Sequence, residues 1–213
     1  MKTPFCTLFC FATFLGTGLA DEVAVLDIKN SGDKNLHRVI IEFYDHAAPA
    51  TVANFKKLAS AKFYDHTAFH RVFPHRMVQA GDPLSRNKNS AAIGTGGPGY
   101  TLPPEINSHK QLNGTVSTAR LPDKINPGRV SNGSQFFITL APAPDLDGQY
   151  TVFGHVIEGL DVIDSISQKP ADTNDSPVER VEVESAQIVP REAAATVKPR
   201  TGGGVGEFFR RLF

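Results

Sequence analysis

An arginine stands inside the apolar stretch "AFHRVFPHRMVQAGDP" (Ala68–Pro83), with a glutamine eight residues further on. Polar groups in a packed strand are costly unless they are paired or used, so Arg71 and Gln79 are the first candidates for chemistry. Pro74 breaks the run, which lets the two come from adjacent strands and meet. Period-two spacing sets Met77 and Gln79 on one face and Val78 and Ala80 on the other. "SQFFIT" splits in the same way, with Phe137 opposite Phe136 and Ile138. An aromatic ring turned away from the core points to an apolar site. Taken alone, Arg71 reads as a buried ion pair tying two strands together, and Phe137 as packing.

Two other chemistries are disfavoured. His66, His70 and His75 lie four and five residues apart on a strand pattern, which does not gather ligands as a helix does, and no cysteine helps; no metal is expected. "GTGGPG" (Gly94–Gly99) lacks the Lys-Ser/Thr ending of a phosphate loop and runs into "YTLPPE" rather than a helix.

The elements that must position these residues follow from hydrophobic period. Alternation from Glu22 to Phe43, broken by the turn-forming "NSGDKN" (Asn30–Asn35), predicts a hairpin. Val52, Phe55, Leu58 and Ala59 share a helical face, and Pro49 suits a first turn, so a helix is expected over about 49–61. A Gly- and Pro-rich excursion follows Gly81. "GTVSTAR", "SQFFITLA", "YTVFGHVIEG" and "PVERVEVESAQIVP" read as further strands, and "GLDVIDSISQ" as a short helix. Many short strands beside one strong helix make the chain mainly β, with a closed or nearly closed sheet.

The ends differ from this middle. Residues 1–20 carry one lysine, an apolar stretch and small residues up to Ala20, the pattern of a signal peptide cleaved after Ala20. Cys6 and Cys10 both fall in that leader, so the remaining chain would use neither disulfide nor thiolate. Residues 21–190 form the expected domain, and 191–213 a flexible Gly-rich tail with an aromatic-basic end. Lys and Arg together number 22, as do Asp and Glu, which excludes the basic excess of a nucleic-acid binder. No segment after the leader is apolar enough to span a membrane.

In order, "FHRV-P--M-Q-GD", "GTVSTAR", "NGSQFFI" and "LDG-YTVFG-V-EG" resemble a cyclophilin-type peptidyl-prolyl isomerase, of an exported, bacterial-like kind. The likeness runs from about Glu22 to Val189, and the ordered set reverses the bland readings of Arg71 and Phe137. It implies a closed eight-stranded antiparallel β-barrel capped by two helices, with a shallow groove on its outside. The implied activity is rotation of X–Pro bonds in folding or secreted proteins, without cofactor or covalent step. Arg71 would stabilise the prolyl nitrogen, and Gln79 would hold Arg71 and the substrate backbone. Met77, Phe137 and Leu146 would form the proline pocket, Ala119, Arg120 and Gln135 the groove, and His70 and Tyr150 its rim.

This chain departs from the family pattern at several places. Arg76 replaces a bulky aromatic before the methionine and so enters the substrate-binding set as an altered wall. Asp145 stands where drug-binding members have tryptophan, so weak binding of cyclosporin-like ligands is expected; Tyr150 stands where many have histidine. The loop Leu121–Val130 is longer than usual. The expected partners are proline-containing polypeptides, bound by a monomeric, periplasmic or secreted protein with no nucleic acid and no stable membrane insertion. The competing reading is a proline-peptide binding module or holdase with little turnover.

Overall fold

The computed structural model describes residues 21–200. Residues 1–20, where the signal peptide is expected, and residues 201–213, to which the aromatic-basic end belongs, lie outside the described residues. The expected hairpin forms from β1 (Glu22–Asn30) and β2 (Leu36–Phe43), and the expected helix is α1 (Pro49–Ser60). The chain then gives β3 (Thr67–Ala68), β4 (Arg71–Phe73), β5 (Met77–Ala80), β6 (Thr115–Thr118), β7 (Phe136–Thr139) and β8 (Val152–Glu158). A second helix, α2 (Leu160–Ser167), and a last strand, β9 (Val181–Pro190), complete it.

One sheet holds all nine strands in the order β3-β9-β1-β2-β8-β6-β7-β5-β4. It is open and strongly curled, where a closed barrel of eight was expected. The reason lies at Phe69 and His70. The two edge strands β3 and β4 are consecutive in the chain, and between them the backbone changes partners. The Phe69 N–H donates to Val181 O at 3.0 Å, and the His70 N–H to Gln79 O at 3.0 Å. The chain passes from one edge to the other there, and no ladder joins the two.

Phe55, on the buried face of α1, is the centre of the core: it packs on Phe43, Tyr64, Phe136 and Phe153 at ring-centroid distances of 4.7–5.7 Å. The first turn of α1 has no side-chain cap of its own. Glu105 serves it from the end of the Gly-rich excursion, accepting from Ala50 N–H at 2.9 Å and Thr51 N–H at 2.7 Å. A carboxylate satisfies exposed donors there and meets the positive end of the helix dipole.

The boundary expected after Pro190 shifts. Residues 191–200 lie across the sheet: Ala194 is 4% exposed and packs with Val23, Val25 and Ile40. Arg38 donates to the carbonyls of Ala194, Ala195 and Val197, which fastens this segment to β2.

Candidate active site

Strands β4 and β5 pair so that Arg71 lies directly opposite Gln79. Val78 and Ala80 enter the core, while Met77 and Gln79 are half-buried on the other face. Phe136 and Ile138 likewise join the core, and Phe137 does not. Phe137 is nonetheless covered: its ring meets Tyr150 edge-on at 5.2 Å, and the Arg120 guanidinium lies 4.7 Å from the Tyr150 centroid. The outer face of β5 and β7 thus carries Gln79, Met77 and Phe137 side by side, as the alternation predicts.

Two clefts meet at Gln79 and Gly94. One, of about 470 Å³, is lined by His70, Arg71, Gln79, Lys88, Asp172 and Asn174 among others. The second, of about 320 Å³, is lined by Gln79, Ala119, Arg120, Gln135, Leu121 and Ile125 among others. Met77, Phe137, Leu146 and Tyr150 line neither and lie between half-buried and buried beside them. Arg76 is exposed, outside both clefts, and among the described residues only its backbone is hydrogen-bonded, with Phe73 and Leu140.

The polar network at the junction has a direction. Gln135, 4% exposed, donates its Nε2 to Gly94 O at 3.0 Å and Gly96 O at 2.8 Å. A carbonyl only accepts, so the Gln135 amide is oriented, and its Oε1 must accept from its other neighbour. That neighbour is Gln79, whose Nε2 donates at 2.8 Å. Gln79 is left with its Oε1 as an acceptor at the meeting point of the clefts.

Two expected contacts take another form. Gln79 does not grip Arg71: its amide is committed to Gln135, and the Arg71 Nε and Nη2 lie 3.3 and 3.4 Å from Asp175 Oδ2. His70 lines the first cleft, as expected of a groove residue, but is nearly buried there. It is 6% exposed, and neither ring nitrogen has a hydrogen bond of ordinary geometry. Burial pushes its pKa down, partly opposed by the nearby Asp82 charge. The three histidines weighed as ligands diverge: His75 pairs with Asp164 at 2.9 Å, and His66 faces Glu182 and Glu184.

Sequence reasoning missed Asp175, Gly94, Gly96 and Lys88. "ADTNDSP" (Ala171–Pro177) has strong turn chemistry, which marks a loop without saying where it lands.

Comparison with known proteins gives a consistent result. The family profile described as "Cyclophilin type peptidyl-prolyl cis-trans isomerase/CLD" matches residues 25–188. The peptidyl-prolyl cis-trans isomerase-like 1 of Aspergillus niger is 38% identical over 157 residues, which is 74% of this chain and 92% of that protein. A peptidyl-prolyl cis-trans isomerase of Synechococcus elongatus is 46% identical over 128 residues, 59% of this chain and 79% of that one. Among solved structures, a cyclophilin-type isomerase of Cryptosporidium parvum superposes with a TM-score of 0.67 at 26% identity, covering 79% of this chain and 97% of its own. The same protein solved in the presence of the dipeptide Ala-Pro gives a TM-score of 0.66, covering 78% of this chain and 98% of its own, at 26% identity.

Proposed function

The chain belongs to the cyclophilin-type peptidyl-prolyl cis-trans isomerase family, and from that premise we propose that it speeds X–Pro rotation without covalent chemistry, with Arg71 as the donor that meets the prolyl nitrogen. The carrying observation is the direct cross-strand placement of Arg71 against an oriented Gln79, at the junction of two clefts on the outside of the sheet.

Amide resonance raises a barrier of about 18–20 kcal/mol to rotation. Twisting the bond returns the lone pair to nitrogen, and a guanidinium held there stabilises the twisted state more than the planar one. A drop of about 7 kcal/mol gives roughly a 10⁵-fold acceleration. One preorganised donor supplies about 10²–10³ of such a factor. Gln79 Oε1 offers an acceptor to a substrate backbone N–H, which fixes the peptide while its bond turns. By the family resemblance Met77, Phe137 and Leu146, which line neither cleft, supply an apolar wall for the proline ring, and Ala119 and Arg120, beside Gln135 in the second cleft, receive the flanking residues. The relative solved with Ala-Pro supports a proline-containing peptide as substrate. Export to the periplasm or medium belongs to the same reading and rests on the composition of residues 1–20; N-terminal sequencing of secreted protein starting at Met1 would sink it.

Arg76 favours a second reading. With a charged, exposed residue where an aromatic wall is expected, the fold could serve as a proline-peptide binder of low turnover. Exchange spectroscopy on a short X–Pro peptide separates the two. The enzyme reading expects wild-type acceleration, and a fall of about 10²–10³ in Arg71→Ala with peptide affinity changed far less. Bound peptide without acceleration by the wild type establishes the binder.

A further inference from the structure

We propose that Asp175 is a positioning residue for Arg71, holding its guanidinium over Phe73 with one edge free for the substrate. This inference rests on Arg71 being the catalytic donor.

Arg71 is on a short edge strand, and its side chain is 47% exposed. Left alone, such an arginine samples many rotamers, and only a fraction of them points at a bound prolyl nitrogen. Two contacts restrict it. The Phe73 ring lies beneath, 4.7 Å from the guanidinium carbon, because residues two apart on a strand share a face. Asp175 Oδ2 lies at one edge, 3.3 Å from Nε and 3.4 Å from Nη2. Together they leave the Nη1 edge uncommitted.

The carboxylate is delivered by a built loop. Asp175 O accepts from the Val72 N–H at 2.8 Å, so its backbone is fastened to the residue next to Arg71. Asp172 organises the turn behind it: its Oδ1 accepts from Asn174 N–H at 2.8 Å and from Ser176 N–H at 3.0 Å. A bridge between Ala171 and Pro177 closes the loop's base. Asp175 itself has φ 61°, a left-handed conformation that Asp and Asn tolerate better than other side chains. The backbone bond and the turn fix where the carboxylate must be.

A carboxylate beside the donor also tempers its charge. Arg stays protonated whatever its neighbour, and a pair this exposed is weakened by solvent and salt. Orientation therefore outweighs neutralisation. The same exposure bounds the gain: a pair of this kind corresponds to about a two- to fivefold change in rate.

The test compares steady-state isomerisation of a short X–Pro peptide by wild type, Asp175→Gly, Asp175→Asn, Arg71→Ala and the Arg71→Ala/Asp175→Gly double variant. Glycine removes the carboxylate without strain at a positive φ, and asparagine keeps an acceptor oxygen. The expected result is a two- to fivefold lower kcat for Asp175→Gly with KM nearly unchanged, and recovery of most of that loss by Asp175→Asn. On the Arg71→Ala background, Asp175→Gly should have no further effect. Equal losses on both backgrounds would show a merely structural loop and overturn the proposal, as would unchanged or raised kcat in Asp175→Gly. Should Arg71→Ala keep wild-type activity, the catalytic reading of Arg71 fails instead, which is a separate outcome.

Discussion

His70 adjoins Arg71 in sequence, yet its imidazole is buried at 6% exposure, and neither nitrogen makes a hydrogen bond of ordinary geometry among the described residues. Burial is the leading cause of its lowered pKa, since a charged ring there would lose its water. The linkage has a definite sign. Above the ordinary histidine value of about 6.5 the ring is neutral folded or unfolded. As pH falls below that, the unfolded chain takes up the proton first, so stability is lost down to the lowered folded value and then levels off. Thermal melts between pH 7.5 and 5 should therefore show a smaller fall in His70→Gln than in the wild type. Parallel curves would assign the acid sensitivity to other groups. The same scale shows what a sequence discloses. Arg71, Gln79 and Phe137 are legible because side chains alternate across a strand. Asp175 is not, because its place beside Arg71 depends on one backbone bond made across about a hundred residues, from Val72 N–H to Asp175 O. The burial of His70 was hidden for a similar reason: alternation gives a face but not what later covers it.

The Gly-rich excursion shows an element working on the site from outside it. Its glycines wrap a carboxylate of this same chain: Asp82, fully buried, accepts from the N–H groups of Leu84 and Gly94. A Cβ on Gly96 would come within 2.1 Å of Asp82 Oδ1 and 2.8 Å of Leu84 Cγ. Glycine is required there by close approach. The carbonyls of Gly94 and Gly96 then orient Gln135, and through it Gln79. Gly96→Ala should cost about 1–3 kcal/mol by overpacking. It should also lower kcat/KM, because the two carbonyls that set the Gln135 amide move with the loop. A variant with reduced Tm but wild-type kcat/KM per folded molecule would break the proposed link between loop and site. At this scale the sequence was informative where periodicity governs: the β1–β2 hairpin and α1 fall where the alternation and the helical face place them. Sheet closure was not legible. It turns on which partner two residues, Phe69 and His70, choose, and no hydrophobic pattern specifies that.

Across the whole molecule, one arginine joins the first hairpin to the segment 191–200. Arg38 on β2 holds Asp27 on β1 through Nε at 3.1 Å and Nη2 at 3.0 Å, and its other hydrogens reach the carbonyls of Ala194, Ala195 and Val197. The covering segment seals the outward side of the sheet, where Val23, Val25 and Ile40 have at most 3% exposure. Alternation alone would turn these residues to solvent, so a cover is what makes an apolar outer face tolerable. Two perturbations should therefore differ. A chain ending at Pro190 loses the cover and exposes those side chains, each worth up to about 1.5–3 kcal/mol when fully buried, but Arg38 and Asp27 still pair. Arg38→Ala loosens the cover and also strands Asp27, which is 1% exposed and, among the described residues, keeps only the Ser185 hydroxyl at 3.2 Å. An unpaired buried carboxylate costs about 3–5 kcal/mol, or roughly 6–20 °C in Tm at 2–4 °C per kcal/mol for a domain of this size. None of these residues lines either cleft, so kcat/KM per folded molecule should be unchanged in both variants. Differential scanning calorimetry beside the isomerase assay checks both parts. Arg38→Ala melting with the wild type would mean that the strap and the Asp27 pair contribute nothing net, and lost activity in a fully folded variant would mean that the far side of the sheet is coupled to the site.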